Sequence, residues 1–96
     1  MATGTIRKPM DAVIIRNVTA DAGSVASHNY ARFEKVVPTV ADYKLLGIIG
    51  MAGLGTSYIM TFYYNESATK VAADLYNYSD SAKTISPIFI VLYAHV

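Results

Sequence analysis

The pattern of apolar positions is dominated by one uncharged stretch, which extends from Leu45 to Asn65 between Lys44 and Glu66. As an α-helix this stretch is about 31 Å long, which is close to the thickness of a bilayer core. The pattern predicts a transmembrane helix over about 39–65. The alternative is a buried core helix of a soluble protein, although the glycines within the stretch lower its helix propensity in water.

Tyrosines stand near both ends of this stretch. Tyr43 precedes it, and Tyr63 and Tyr64 lie close to its other end. Tyrosine favours the membrane–water interface, where its ring contacts apolar groups and its hydroxyl reaches water. We therefore predict that these three tyrosines are membrane-interface residues.

Small residues recur within the stretch at a helical spacing. At about 100° per residue, one face of the helix carries Gly50, Gly53, Ser57 and Thr61. Small side chains allow another helix to approach closely, so this face is the predicted helix-packing site. A phosphate-binding loop is disfavoured, because Tyr58 occupies the position where the dinucleotide fingerprint requires its third glycine.

The remaining sequence favours short helices and shows no convincing strand pattern. A first helix begins near Pro9, and an amphipathic helix ends at Val37 because Pro38 follows. Another amphipathic helix is predicted over Ser67–Tyr78. The sequence thus predicts an all-α protein with peripheral helices over 1–38, a single transmembrane helix over 39–65, and a peripheral helix with an apolar tail over 66–96.

The tail from Ile85 to Val96 is apolar on nearly every side. It is too short to cross a bilayer as a helix. It also lacks the polar face that an interfacial amphipathic helix needs. The pattern therefore predicts that the tail is buried against another protein.

The overall composition indicates that part of the surface is covered. Hydrophobic residues make up 53% of the 96 residues and charged residues 16%. A small soluble domain normally carries more polar surface, so a membrane or a large partner is expected to cover the excess. The net charge of +1 disfavours a nucleic-acid partner, which requires a basic surface to neutralise phosphates.

Residues capable of chemistry are sparse. The chain has no cysteine, and its two histidines, His28 and His95, are far apart in sequence. Neither has a second histidine at a metal-ligand spacing, and no nucleophile-elbow motif surrounds a serine. We therefore expect no catalytic residue, no metal, no cofactor and no small-molecule substrate.

The architecture resembles that of the accessory subunits of mitochondrial energy-converting complexes, on the strength of the helix over Leu45–Tyr64 with its glycines and tyrosines. The resemblance implies a non-catalytic structural subunit of a respiratory complex or an ATP synthase in the mitochondrial inner membrane. Its partners would be other membrane-protein subunits and the lipid bilayer. Basic residues before the helix, Arg32, Lys35 and Lys44, place the N-terminus on the matrix side. The alternatives are a free single-pass membrane adaptor or regulator and a small soluble helical interaction module.

Overall fold

The computed structural model describes residues 11–54 and 59–96, and it shows an all-β protein. Its strands are β1 (Val13–Thr19), β2 (Gly23–Val25), β3 (Asn29–Val36), β4 (Tyr43–Ala52), β5 (Ile59–Ser67), β6 (Lys70–Asn77), β7 (Lys83–Ile85) and β8 (Ile88–His95). No helix occurs within the described residues, so none there could cross a membrane. The predicted all-α class is therefore wrong.

Two antiparallel sheets of three strands build the fold. Sheet I has the order β1–β8–β4, and sheet II has the order β3–β6–β5. Strands β2 and β7 form a short ladder of their own. A hydrogen bond of 2.9 Å from the Ala20 amide to the Pro87 carbonyl oxygen joins this ladder to the β1–β8 ladder. Each three-stranded sheet combines strands from all three of the predicted segments, 1–38, 39–65 and 66–96.

The hydrophobic core lies between the two sheets, because one buried cluster takes residues from both. The core residues of the two central strands are Phe89, Val91 and Tyr93 in β8 and Val71, Ala73 and Leu75 in β6. Successive side chains of a strand point to opposite faces. The residues between these core positions therefore lie on the outer face of each sheet.

The stretch predicted as a transmembrane helix over 39–65 instead contains β4 and most of β5. The residues of β4 that pack on the core are Tyr43, Leu45, Ile48 and Met51. Two bulges, at Leu46 and Ile49, each place one extra residue in β4 opposite β8. As a consequence, the successive core-facing side chains of β4 are separated by two, three and three positions along the chain. This spacing resembles an apolar helix face, which explains the wrong prediction.

The length of the stretch was equally misleading. Strand β4 has ten residues and β5 has nine, so two consecutive strands with their connection are as long as one membrane-spanning helix. Gly53, which follows β4, has a φ of +71°, a conformation that suits a turn and ends the strand. The prediction of an integral protein of the mitochondrial inner membrane, with its N-terminus on the matrix side, rested on the helix and is wrong with it.

The two flanking segments are also strands where they are described. Residues 11–38 contain β1, β2 and β3, and residues 66–96 contain the end of β5 and all of β6, β7 and β8 in place of the predicted peripheral helix and tail. The apolar tail forms β8, which is hydrogen-bonded on one side to β1 and on the other to β4. Its core-facing side chains are thus covered by the protein's own second sheet and not by another protein.

Candidate functional site

The outer face of sheet II carries a row of charged side chains that run from β3 to its neighbours. The Arg32 Nε atom lies 3.0 Å from Glu34 Oε2, and its guanidinium also pairs with Glu66. Lys70 pairs with Glu34 from the adjacent strand. The Arg32 guanidinium lies 5.5 Å from the centre of the Tyr64 ring. The charged side chains of this cluster are each partly exposed to water, so their ion pairs contribute modestly to stability.

The charges of this cluster shift one another's protonation. The hydrogen bond from Lys70 lowers the pKa of the Glu34 carboxyl, against the opposing effect of partial burial. Desolvation disfavours the charge on Arg32, but the interactions with Glu66, Tyr64, Glu34 and Asp74 together outweigh it and raise the pKa of the guanidinium. Glu34 and Arg32 therefore keep their charges at neutral pH.

An aromatic pocket lies beside this cluster on the same outer face. It has a volume of about 200 Å³ and is lined by Tyr30, Met60, Thr61, Phe62, Asp74 and Tyr76. The Tyr30 and Tyr76 rings are cross-strand neighbours, with centroids 4.8 Å apart and planes inclined by 51°. Although apolar, the Phe62 side chain is 67% exposed and Met60 is 61% exposed. Large apolar groups that are grouped on a surface in this way often mark a binding site.

Asp74 is the acidic residue of the aromatic pocket. It lies on the central strand β6, opposite Arg32 of β3 on one side and Phe62 of β5 on the other. Arg32 directs its ion pairs to Glu34 and Glu66. Within residues 11–54 and 59–96, the half-buried Asp74 carboxylate makes no hydrogen bond and no ion-pair contact, but its charge acts on Arg32 and helps to raise the pKa of that guanidinium.

The outer face of sheet I is mostly apolar, with the polar exceptions Asn17 and Thr19 on β1 and Lys44 on β4. We define the apolar face as the aliphatic residues at outer positions of its three strands: Val13, Ile15, Leu46, Ile49, Ile88, Ile90 and Leu92. Val13, Ile15, Leu46 and Ile49 are each about half exposed. The β-bulges place Gly47 opposite Leu92 and Gly50 opposite Ile90. Lys44, at one end of β4, is the only charged residue at the described outer positions of β4 and β8.

A larger cavity of about 290 Å³ lies at the end of the sandwich, between the β3–β4 connection and Tyr93. The Tyr93 hydroxyl already donates a hydrogen bond of 2.7 Å to the Pro38 carbonyl oxygen. Burial raises the pKa of this phenol, against a smaller lowering effect of Arg16. The cavity is lined mainly by apolar residues, together with Thr39, Thr69 and the exposed Lys44.

Polar groups elsewhere have structural partners. The buried Asn77 amide donates to the carbonyl oxygens of Val25 and Ser81, and its oxygen accepts hydrogen bonds from the Ser79 amide and hydroxyl. His28 Nε2 lies 3.1 Å from Asp80 Oδ1 at the surface. No serine hydroxyl in the described part of the chain bonds to that imidazole, and no group of three metal-ligating side chains occurs there.

The predicted helix-packing residues are dispersed by the β-structure. Gly50 lies at a bulge of β4, Gly53 follows β4, and Thr61 lies in β5, while Ser57 is outside the described residues. Gly50, Gly53 and Thr61 share no helix, so these three described residues do not form the predicted helix-packing face. Thr61 does line the aromatic pocket.

The predicted membrane-interface tyrosines also have other surroundings. Tyr43 donates a hydrogen bond of 2.6 Å to the Asp11 carbonyl oxygen, and its ring stands edge-on to His95. Tyr64 packs against Phe62, with ring centroids 5.8 Å apart. Tyr63 is 40% exposed on β5. These contacts fix Tyr43 and Tyr64 within the sheets.

The pocket residues Tyr30, Phe62, Asp74 and Tyr76 were missed by the sequence analysis. They come from three strands that are separated along the chain, so only the strand register brings them together. The local signal was the alternation of polar and apolar residues in β3, where Tyr30 and Arg32 are exposed and Phe33 is buried. No family model, curated protein or solved structure matches the chain.

Proposed function

We propose that this protein is a non-catalytic assembly module, which associates with a second copy of itself through the apolar face of sheet I. The observation that carries the proposal is the composition of β8. In an antiparallel sheet with one face in water, outward residues are normally polar. The outward residues of β8 are Ile88, Ile90 and Leu92, as in a strand that is covered on both faces.

The edge strands extend this apolar surface on both sides. Ile15 pairs with Leu92 in register, and Leu46 protrudes from the neighbouring bulge. Full burial of an aliphatic side chain contributes about 1.5–3 kcal/mol. The seven residues of the apolar face are only partly covered in one copy, so a partner gains additional burial from each of them.

A second copy suits this face better than a partner of opposite charge. The face is nearly neutral, and its charged residue Lys44 lies at one end of β4. In a two-fold arrangement with the sheets face to face and the strands antiparallel, the two lysines lie at opposite ends and do not meet. Two-fold contacts of this self-complementary kind are the commonest in soluble oligomers.

The test is the mass of the protein in solution, measured by sedimentation equilibrium over a range of concentrations. We expect a reversible dimer, whose dissociation constant rises at least about tenfold in Ile15→Lys, because each partner would bury a charge. The matched control is Val36→Lys, an exposed aliphatic residue on the edge strand β3 of sheet II. It should leave the dimer intact.

Two results would contradict the proposal. One is a wild-type protein that stays monomeric at every concentration. The other is equal weakening by Ile15→Lys and Val36→Lys, which would locate the contact away from sheet I. Thermal unfolding of both variants verifies that each remains folded.

A further inference from the structure

The aromatic pocket of sheet II has a chemistry that self-association through sheet I does not use. Its rings and Asp74 belong to the outer face of sheet II, whereas the proposed dimer contact uses the outer face of sheet I. The two surfaces are separated by the core between the sheets. The inference that follows is therefore independent of the proposed function.

The carboxylate of Asp74 determines the sign of charge that the pocket accepts. Within the described residues, the cluster on this face contains the cations Arg32 and Lys70, and both are paired with Glu34 or Glu66. Asp74 is the carboxylate that makes no ion-pair contact there, although its charge also acts on Arg32 on the neighbouring strand. An anionic group entering the pocket would meet Asp74 directly and would be repelled.

The aromatic rings determine what kind of cation fits. Aromatic faces attract a cation through their electron density, most strongly when the cation is weakly hydrated, and aromatic cages that bind quaternary ammonium groups use this attraction. Tyr30, Phe62 and Tyr76 line the pocket with their rings, and Asp74 lines it with its carboxylate. A hydrated metal ion would gain little from such walls, since no cluster of further oxygen ligands is present among the described residues.

The size of the pocket restricts the ligand further. At about 200 Å³ it is smaller than the roughly 300–1,000 Å³ clefts that hold drug-sized molecules. It can hold a compact head group, while the rest of a ligand extends into water along the exposed Met60 and Phe62. Alkyl groups on the cation would contact these apolar side chains.

We propose that the pocket of Tyr30, Phe62, Asp74 and Tyr76 binds an alkylammonium group, of which the quaternary ammonium of choline is the simplest example. The rings contact the alkyl groups and stabilise the positive charge, and the Asp74 carboxylate is its counter-ion. The same group occurs on a methylated lysine side chain and on a phosphocholine lipid head group.

The experiment is a titration of the whole protein followed by the amide and side-chain chemical shifts in heteronuclear NMR. The probe is choline, and its control is the neutral isostere in which carbon replaces the quaternary nitrogen. We expect choline to shift resonances of the four pocket residues and to bind at least about fivefold more tightly than the isostere, the lower end of the range for cation–π and carboxylate contacts.

Two variants, each with a matched control, separate the contribution of the charge from that of the pocket's shape. Asp74→Asn keeps the size of the side chain and should weaken choline binding about tenfold without changing the affinity for the isostere. Asp80→Asn, at an exposed carboxylate outside the pocket, is the matched control and should leave both affinities unchanged. Phe62→Leu should weaken both ligands, whereas Tyr63→Leu, on the neighbouring residue outside the pocket lining, should weaken neither.

Further ligands identify the source of the group. Tighter binding of trimethyllysine than of phosphocholine supports a protein side chain as the natural ligand, and the reverse order supports a lipid head group. Equal affinity for choline and its neutral isostere would overturn the proposal, as would choline binding that Asp74→Asn does not weaken. Binding of a neutral methyl glycoside in the absence of choline binding would assign the pocket to saccharides and overturn it equally.

Discussion

The Tyr93 hydroxyl donates a hydrogen bond of 2.7 Å to the carbonyl oxygen of Pro38, which lies 55 positions earlier in the chain. Tyr93 belongs to β8, and Pro38 follows β3. The bond therefore ties the central strand of sheet I to the connection that leaves sheet II. Because Tyr93 is almost fully buried, removing its hydroxyl leaves the carbonyl oxygen without this donor.

Tyr93→Phe should lower the free energy of unfolding by about 1–2 kcal/mol, the cost of a lost hydrogen bond with a partly buried acceptor. Chemical denaturation at neutral pH measures the difference. Tyr30→Phe is the control, since the Tyr30 side chain is 72% exposed, and it should change stability little. Equal losses in the two variants would show that the bond to Pro38 has no special importance.

The same tyrosine should make the stability of the protein depend on pH in the alkaline range. Burial raises the pKa of Tyr93 in the folded state, so the folded protein holds this proton more tightly than the unfolded chain. Its stabilising effect is complete below the unfolded pKa of about 10 and is lost as the pH rises from there through the folded value. The stability difference between wild type and Tyr93→Phe should therefore shrink on titration above this pH.

Glu34 should make the stability of the protein decrease as the pH falls in the acidic range. Its folded pKa is lowered, chiefly by the hydrogen bond from Lys70. The stabilisation is present above the unfolded pKa of about 4.3 and disappears as the pH falls through the folded value. The stability difference between wild type and Glu34→Gln should decrease over that interval, and it should also decrease when salt is added at neutral pH. A difference that is independent of pH would contradict the assignment.

Asn77 is expected to be the polar residue whose loss destabilises the fold most. Its side-chain amide makes two donor and two acceptor hydrogen bonds inside the protein. Asn77→Ala leaves several of these groups without partners, so we expect a loss of about 2–4 kcal/mol. The control is its cross-strand neighbour Asn29, whose exposed amide donates to the Ser27 carbonyl oxygen. Asn29→Ala should cost less than about 1 kcal/mol.

Two glycine substitutions distinguish the β-structure from the helix that the sequence suggested. At Gly53 the φ of +71° is unfavourable for alanine, and an added Cβ would lie 3.0 Å from the Ser86 carbonyl oxygen. At Gly50 the nearest contact would be Ile90 Cδ1, at an ordinary 3.9 Å. Gly53→Ala should therefore destabilise the protein by about 1–2 kcal/mol, and Gly50→Ala should be nearly neutral. In a helix interior both substitutions would stabilise by up to about 1 kcal/mol.

The sequence contained some of the strands but in an ambiguous form. Val71 and Leu75 are four residues apart, a separation that suits a helix face, and it equally suits two alternate positions of a strand. The decisive residue is Ala73 between them, which is buried with both. Strand β8 was obscured for another reason, because apolar residues at both inner and outer positions leave no alternation to detect.

The pocket could not be predicted from local pattern at all. Tyr30 and Phe62 stand on opposite sides of β6, and their relation to Asp74 depends on the register of two separate ladders. A slip of one residue in either ladder would place Phe62 or Tyr30 on the core side. The composition did predict that a partner covers part of the surface. Under the proposed function, that part is the apolar face of sheet I.

The position of β8 between β1 and β4 also imposes an order on events during synthesis. Neither β1 nor β4 can complete its ladder until residues Ile88–His95 have emerged from the ribosome, and the pairing of Val13 with Ala94 then has to close a long loop. Such non-local pairing slows folding. In the interval, the apolar residues of β1 and β4 are available to other nascent chains, so shortened products that lack β8 should depend on chaperones or accumulate as aggregates.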